Sequence, residues 1–368
     1  MNILIVCGGS AGHINPALAI AEEIMRKSPE ANILFTGADK ALEKRLVPAA
    51  GFRLVNIKMS GLRRRFKPGD IIHNIKTVKN LISAGFKAKS LIKEFAPDVV
   101  VGTGGYICYP VMKRVVKNGI PAYLLEPNAF PGLAVRMLSG IVDKIFVTYK
   151  DTVEGYKKPE RVVYTGTPLR RGFLEAADTA GIDKKESKPL ILSYWGSLGA
   201  ARMNNIMPEF IKRNIKENRF DHIHATGISG NAAEMIQKIK DLGVTGVTAP
   251  AADIREYITD MPSIMNTADI VLSRAGASTI AELTTLGKPA ILIPSPNVTE
   301  NHQEENAKQI QAAGGAVMIP ENECTGDSLY EAVKLLLDDE MKLADMTNAM
   351  KSLSVKDAAA KIVDTILT

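Results

Sequence analysis

The chain has 368 residues, which is enough for two domains of ordinary size, and a net charge of +6. Its 46% hydrophobic and 23% charged residues are typical of globular proteins, and no apolar run approaches the ~20 residues that a bilayer-spanning helix needs. Three scattered cysteines show no zinc or disulfide spacing, and the chain begins on a strand-like run without a leader, so we expect a reducing cytoplasmic location.

Short β-branched and aliphatic runs alternate with helix-like stretches along the whole chain. This alternation predicts parallel sheets wrapped by helices, and two such series predict two doubly wound α/β domains. The predicted strands are residues 3–6, 33–36, 54–57, 99–101, 122–125, 145–148, 190–193, 222–225, 270–272, 290–293 and 316–319. The domain break is expected near residues 166–171 or in the charged stretch 183–189. Sheets of this kind bind ligands at the carboxyl ends of their strands, so a cleft between the domains is the expected site.

A glycine-rich loop, residues 8–16, follows the first strand. It does not match the dinucleotide fingerprint G-x-G-x-x-G. Pro16 predicts that the next helix begins at that residue. His13 lies in this loop, where it is either a structural or solvated histidine or a candidate for acid–base catalysis.

Residues 58–93 hold ten Lys or Arg and a single acidic residue, Asp70, so the positive charge of the chain is concentrated here. Residues 68–70 predict a helix start, and apolar residues follow at helical spacing. The stretch is either a helix with a core stripe and a solvated basic face, or a surface that meets anionic lipid. Nucleic acid is the other polyanion to consider, but no recognisable binding module accompanies the charge.

Three further turns follow predicted strands: residues 102–106, 126–128 and 195–200. Each is placed at a carboxyl end where ligands bind, although the first two also fit ordinary turn chemistry. The last of them leads into a helix and is a candidate phosphate loop.

The most informative stretch is residues 273–282, SRAGASTIAE, where a predicted strand leads through small residues into a helix from Thr279 to Leu286, ended by Gly287. A helix N-terminus at such a turn attracts anions. Thr279 and Glu282 form either a capping box or part of a nucleotide site, with Glu282 on the ribose. Residues 294–306 carry amide side chains suited either to sugar hydroxyls or to a helix start.

Together these segments resemble the MurG family, the UDP-N-acetylglucosamine transferases that complete the disaccharide of the peptidoglycan precursor lipid II. The resemblance spans essentially the whole chain and rests on five segments in order. They are residues 8–17, 102–106, 196–202, 273–282 and, in a form similar to the Gram-positive branch, 294–306.

The resemblance implies a GT-B fold of two Rossmann-like domains with an interdomain cleft. Residues 1–165 would bind acceptor and membrane, residues 166–349 would bind the UDP-sugar, and a terminal helix in 350–368 would pack back on the first domain. The implied reaction is inverting and needs no metal or other cofactor. In it, the C4 hydroxyl of the N-acetylmuramyl group of lipid I attacks C1 of UDP-N-acetylglucosamine, with His13 as base and Glu126 as second candidate.

The resemblance also implies binding residues by position. For the donor they are Ser10, Ala11, Gly12, Asn128, Arg170, Ser197, Ile258, Ala277, Ser278, Thr279, Glu282, Gln303 and Asn306. For the acceptor they are Gly104, Gly105 and Tyr106. A lipid-linked acceptor gives the basic stretch a role as a patch that docks on the anionic cytoplasmic face of the cell membrane, formed by Arg63, Arg64, Arg65, Ile75, Lys76, Lys79, Leu81, Ile82 and Phe86.

The chain departs from the family pattern on the acceptor side. Ala11 replaces a glycine, Leu125 and Pro127 replace a histidine and a glutamine around Glu126, and Cys108-Tyr109 replaces a small pair. A paralogous transferase for another lipid-linked sugar, a UDP-sugar 2-epimerase and a non-catalytic UDP-sugar-binding subunit therefore stay open as alternatives. An epimerase would leave the basic apolar helix without a role. A nicotinamide dehydrogenase is disfavoured because neither half carries its fingerprint.

Overall fold

The computed structural model describes residues 1–60, 68–179, 188–245, 247–298 and 301–368. The chain forms two compact units. The first comprises Met1–Arg170 together with Val355–Thr368, and the second comprises Arg171–Ser354.

The first unit contains a seven-stranded parallel sheet in the order β3-β2-β1-β4-β5-β6-β7. Its strands are β1 (Asn2–Val6), β2 (Asn32–Gly37), β3 (Arg53–Asn56), β4 (Val99–Gly102), β5 (Ala122–Glu126), β6 (Lys144–Val147) and β7 (Val162–Tyr164). Its α-helices are α1 (Ala11–Lys27), α2 (Ala41–Ala49), α3 (Pro68–Phe95), α4 (Cys108–Lys117) and α5 (Leu133–Leu138). In the register, Val6 of β1 lies beside Thr36 of β2 and Gly102 of β4, so the loops that follow these strands emerge side by side.

The second unit contains a six-stranded parallel sheet in the order β10-β9-β8-β11-β12-β13. Its strands are β8 (Leu190–Tyr194), β9 (Asp221–Ala225), β10 (Asp253–Arg255), β11 (Ile270–Ser273), β12 (Ala290–Leu292) and β13 (Ala316–Met318). Its α-helices are α6 (Arg171–Asp178), α7 (Ala201–Glu217), α8 (Ala232–Asp241), α9 (Met261–Thr267), α10 (Ala277–Leu286), α11 (His302–Ala312), α12 (Gly326–Leu337) and α13 (Glu340–Ser352). Ser273 lies between Tyr194 and Leu292, which brings the loops after β8, β11 and β12 to one edge of the sheet.

The predicted α/β architecture is confirmed, and all eleven predicted strands are present with ends within one residue of the prediction. Most of their residues are fully buried, which is why they read as continuous apolar runs. The two strands that the sequence did not reveal, β7 and β10, are edge strands of three residues whose side chains are half-buried or, at Tyr164, exposed. The helix start at Pro68 and the left-handed end of α10 at Gly287 are confirmed as well.

Two predictions of helix starts are wrong. Helix α1 begins at Ala11, so Pro16 lies inside the helix and His13 belongs to the first turn rather than to the loop. Pro16 is tolerated there because its missing N–H leaves only the Gly12 carbonyl without its usual helical donor. Helix α10 begins at Ala277 with Gly276 as N-cap, so Thr279 and Glu282 form no capping box.

The core of the second unit includes a buried polar triad. The hydroxyl of Ser193 lies 2.8 Å from Nε2 of His222 and 2.7 Å from Nδ1 of His224. Burial lowers the pKa of both imidazoles, that of His224 to about 3. Both rings are therefore neutral near pH 7. The His224 ring also packs near Trp195, with the two ring centroids 6.5 Å apart.

The last helix of the chain, α14 (Ala358–Leu367), packs against α1 in the first unit. Its buried face is aliphatic, and on the surface Lys27 of α1 pairs with Asp364. The preceding residues pack elsewhere: the side chain of Lys351 covers Gly287 and that of Met350 covers Gly315, both in the second unit.

Candidate active site

His13 lies at the N-terminus of α1, where the chain leaves the interior strand β1. Its Nδ1 is 3.1 Å from the carbonyl oxygen of Gly8 and 3.2 Å from the hydroxyl of Ser10. Because a carbonyl can only accept a hydrogen bond, the contact with Gly8 places the ring proton on Nδ1. This tautomer makes Nε2 the ring nitrogen that can accept a proton, as a general base must.

The turn after β4 packs directly on His13. The hydroxyl of Thr103 donates to the His13 carbonyl at 2.7 Å. Gly104 has a φ of +110°, and a side chain there would begin only 2.4 Å from Cδ2 of the His13 ring. A side chain on Gly105 would likewise begin only 2.4 Å from the carbonyl oxygen of Gly8. Of the three predicted acceptor residues, Gly104 thus lies against the predicted base and Gly105 against Gly8, whose carbonyl contacts that base, while Tyr106 is exposed beside them.

Cys108, one of the departures from the family pattern, supports this turn. Its buried thiol donates to the carbonyl of Gly104 at 3.1 Å. Burial raises the pKa of Cys108 to about 12, so the thiol keeps its proton and remains a donor. The replacement of a small residue by cysteine is therefore accommodated inside the turn that covers His13.

Glu126, the second candidate base, is buried at the end of β5. One carboxyl oxygen accepts from the backbone N–H and the side-chain amide of Asn128, at 3.0 and 2.9 Å, and the other accepts from the N–H of Gly132 at 2.8 Å. Burial raises the pKa of Glu126, and these hydrogen bonds oppose the increase. Its contacts hold the 127–132 loop, and Asn128, a predicted donor ligand, is fixed by this carboxyl.

In the second unit, α10 presents its N-terminus at the carboxyl edge of the sheet. The first-turn N–H groups, those of Ala277, Ser278 and Thr279, precede any helical acceptor and point out of the helix end. The Ser278 hydroxyl is buried and has no hydrogen-bond partner within the part of the chain that the structure describes. A phosphate is the group that such a helix end is suited to bind.

Glu282 lies one turn further along α10 and is buried. Its carboxyl makes no hydrogen bond or ion pair with any residue that the structure describes, and burial raises its pKa to about 8. A buried acid without a partner is costly, and a ligand hydroxyl would satisfy it. Burial raises the pKa of the neighbouring Tyr194 hydroxyl, and the Glu282 carboxyl raises it further.

Arg274 holds the turn before α10 in place, a role that sequence analysis missed. Its Nη1 donates to the carbonyls of Ile293 and Pro294 at 3.1 and 3.2 Å, and its Nη2 forms a buried ion pair with Glu321. One side chain thereby joins the loops after β11, β12 and β13. An arginine in a turn of otherwise small residues was the available signal.

The two predicted sugar-binding amides support the same loops. Asn306 is fully buried, and its side-chain nitrogen donates to the carbonyl of Ala275 at 3.0 Å. Its oxygen is buried and has no partner among the described residues. The Gln303 oxygen accepts from the N–H of Ser295 at 2.9 Å. These contacts bring segment 294–306 next to the N-terminus of α10.

Ser197 lies in the turn between β8 and α7, which packs against a second turn that sequence analysis did not single out. Gly199 lies so close to the Thr226 carbonyl that a side chain would begin 2.0 Å from it, and Asn204 donates to the same carbonyl at 2.8 Å. The N–H of Ile228 donates to the Ser197 carbonyl at 3.0 Å. The turn after β8 and the turn after β9 are therefore joined by hydrogen bonds and close packing.

The remaining predicted donor residues are divided between the two units. Ile258 is buried after β10, at the far edge of the second sheet. Arg170 ends the first unit and forms an ion pair with Glu22 of α1, Nε to Oε1 2.9 Å. Ser10, Ala11 and Gly12 are half-buried at the start of α1.

The predicted membrane patch lies partly on α3. Ile75, Ile82 and Phe86 are 55%, 60% and 67% exposed, and with Lys79 they follow one stripe of the helix. Leu81 instead packs against the core of the first unit. Lys76 is on the same helix, and Arg63, Arg64 and Arg65 lie outside the described residues. No helix in the described ranges is both long enough and apolar enough to cross a membrane.

Comparison with known proteins decides the family. Residues 3–147 match the glycosyltransferase family 28 N-terminal domain, and residues 191–362 match the corresponding C-terminal domain. A UDP-N-acetylglucosamine--N-acetylmuramyl-(pentapeptide) pyrophosphoryl-undecaprenol N-acetylglucosamine transferase from Acetivibrio thermocellus is 40% identical, with 100% of this chain and 97% of the relative covered. The chain belongs to the MurG family of glycosyltransferases. The Listeria monocytogenes member is 36% identical over 100% of this chain and 99% of its own.

Solved structures agree with the two-domain GT-B fold. Acinetobacter baumannii MurG superimposes with a TM-score of 0.72 at 22% identity, covering 100% of this chain and 99% of that one. The UDP-N-acetylglucosamine 2-epimerase of Neisseria meningitidis superimposes with a TM-score of 0.68 at 15% identity, with both chains fully covered. The fold is therefore common to transferases and epimerases, and the sequence relationship assigns this chain to the MurG family.

Proposed function

We propose that this chain transfers N-acetylglucosamine from UDP-N-acetylglucosamine to the C4 hydroxyl of the N-acetylmuramyl group of lipid I, forming lipid II. The relatives that it matches over its full length are named for this reaction. The observation in the structure that best supports the proposal is the buried, unpartnered carboxyl of Glu282 behind the N-terminus of α10.

In this proposal the second unit binds the donor. The pyrophosphate lies at the first turn of α10 and at the Ser197 turn, where N–H groups stabilise the negative charge that grows on the leaving UDP. Glu282 accepts the ribose hydroxyls. Gln303 and Asn306, already next to the α10 turn, bind the sugar through their remaining amide groups. Ile258 and Arg170, together with Ser10 to Gly12 and Asn128, remain predicted donor contacts.

The first unit binds the acceptor at the turn of Gly104, Gly105 and Tyr106. The His13 imidazole takes the proton of the attacking C4 hydroxyl through Nε2, since its Nδ1 is held by Gly8. Attack on C1 from the face opposite to UDP inverts that carbon. Glu126 is the second candidate base, and its hydrogen bonds to the 127–132 loop favour a positioning role for it.

The purified protein with UDP-N-acetylglucosamine and a short-chain lipid I analogue should release UDP, and should do so only when the analogue is present. UDP release is measured with and without acceptor, and the glycolipid product is identified by mass spectrometry. Acceptor-independent release or conversion of the donor sugar would indicate an epimerase instead. Donor binding with no turnover would indicate a binding subunit.

We further propose that the exposed stripe of α3 docks on an anionic membrane surface at the cytoplasmic face, where a lipid-linked acceptor is held. Ile75, Ile82 and Phe86 supply apolar side chains that can enter the interface. Lys79, Lys89 and Lys93 are exposed along the same stripe and can approach lipid phosphates, at about 1 kcal/mol for each cation near the surface.

The double substitution Ile82→Ser with Phe86→Ser should reduce binding to phosphatidylglycerol-containing vesicles by about tenfold or more, since two interfacial side chains are lost. Turnover of a water-soluble short-chain acceptor should stay unchanged. The matched control replaces Leu335 and Met341, which are 69% and 79% exposed in the second unit, by serine. Equal vesicle binding by both double variants would contradict the docking proposal.

A further inference from the structure

Glu43 is a buried acid that the reaction described above does not use. It lies in the first turn of α2, and its side chain is completely inaccessible to solvent. Its Oε2 has no hydrogen-bond partner among the described residues. Burying a carboxyl in this way is unfavourable unless its contacts compensate, so the contacts that Oε1 makes are informative.

Oε1 of Glu43 accepts two backbone hydrogen bonds of different character. One, from the N–H of Ala38 at 2.9 Å, is local and helps to begin α2. The other, from the N–H of Gly9 at 3.3 Å, crosses 34 positions in the sequence to the loop between β1 and α1. A role confined to α2 would not require the second bond.

The packing around this carboxyl is close. A side chain on Gly8 would begin 2.6 Å from Oε1 of Glu43, and one on Gly37 would begin 3.0 Å from its Cγ. Gly8 is also covered from the other side, because Gly105 packs on its carbonyl. The peptide of Gly8 and Gly9 is thus fixed between the Glu43 carboxyl and the turn after β4.

This peptide is the one that orients His13. The Gly8 carbonyl accepts from Nδ1 of His13 and so selects the tautomer with its lone pair on Nε2. We propose that Glu43 is a positioning residue for His13: by holding the N–H of Gly9, it sets the direction of the Gly8 carbonyl and therefore the placement and tautomer of the imidazole. The inference rests on the proposed role of His13 as base.

Two substitutions of Glu43 separate the length of its side chain from its carboxylate chemistry. Glu43→Gln keeps an oxygen that can accept from Gly9, whereas Glu43→Asp keeps the carboxyl group but is one methylene too short. We expect Glu43→Gln to retain kcat for transfer within about threefold, and Glu43→Asp to lose about 30- to 100-fold, as a displacement of about 1 Å in a catalytic group does. The KM for UDP-N-acetylglucosamine should change by less than about twofold in both. If Glu43→Asp keeps its kcat and Glu43→Gln loses it, the proposal is overturned.

A double-mutant cycle with His13→Ala separates this inference from the base assignment. If Glu43 acts through His13, Glu43→Asp should reduce the residual rate of His13→Ala by less than about twofold. If Glu43→Asp instead lowers the rate of the His13→Ala variant by the same factor as it lowers that of the wild type, Glu43 does not act through His13. If His13→Ala itself transfers at the wild-type rate, the base assignment fails; if it is inactive while Glu43→Asp is fully active, only the role of Glu43 fails. UDP titration calorimetry and thermal unfolding confirm that each variant is folded.

Discussion

Replacing His13 by alanine should lower kcat for acceptor-dependent transfer by between ~10²- and ~10⁴-fold, the range that a general base contributes. The loss follows from removing the imidazole whose Nδ1 is held by Gly8 and whose Nε2 can accept the proton of the acceptor hydroxyl. Affinity for UDP should stay within about twofold, since the proposed pyrophosphate and ribose contacts are on the second unit. Steady-state UDP release and calorimetric titration with UDP measure the two effects.

Asn15→Ala is the matched control, because Asn15 is half-buried on the same helix and has no proposed role. It should transfer at close to the wild-type rate. Wild-type transfer by His13→Ala would remove this residue from the mechanism and leave Glu126 as the remaining candidate. A loss of UDP affinity equal to the loss of kcat would instead indicate that His13 contributes to donor binding.

Replacing Glu282 by glutamine should make the protein more stable at pH 8 and at the same time weaken UDP binding about 10- to 100-fold. Burial raises the pKa of this carboxyl from 4.5 to about 8. Between these values the folded state binds more protons than the unfolded state, so the free energy of unfolding falls as the pH rises from about 4.5 to about 8. At about 1.4 kcal/mol for each pKa unit, the penalty near pH 8 reaches several kcal/mol, and the glutamine removes it.

Urea unfolding at pH 5, 7 and 8 tests the first half of this prediction, and UDP titration tests the second. The stability gained by Glu282→Gln should grow with pH and be small at pH 5, whereas Glu209→Gln, at an exposed position of the second unit, should show no such trend. A variant that is destabilised at pH 8 would contradict the cost of burying the ionised Glu282, and one that binds UDP as tightly as the wild type would contradict the assignment of Glu282 to the ribose.

The architecture was predictable because most of its strands are buried on both faces and read as apolar runs. The loops that follow β1, β4, β8 and β11 could be identified as well, since ligands of parallel sheets lie at those ends. The short edge strands β7 and β10 carry no such signal. The start of α1 was misplaced because Pro16, which usually marks a first turn, lies one turn further inside the helix.

The supporting contacts of the candidate site were beyond sequence reasoning for a different reason. Glu43 reaches Gly9 and Arg274 reaches Glu321 only because the parallel register brings distant loops together. A single acid in a helix or a single arginine in a turn does not reveal which backbone group it will meet. The Cys108 thiol shows the same limit, since a departure from the family pattern proves to be a donor to Gly104.

The position of α14 in the first unit has a consequence for biosynthesis. The first unit is discontinuous in sequence: its last helix is translated only after the whole of the second unit. Until that helix emerges from the ribosome, the apolar surface of α1 that it covers has no partner from within the unit. The second unit is continuous, so it can complete its fold first, and completion of the first unit has to wait for the synthesis of α14.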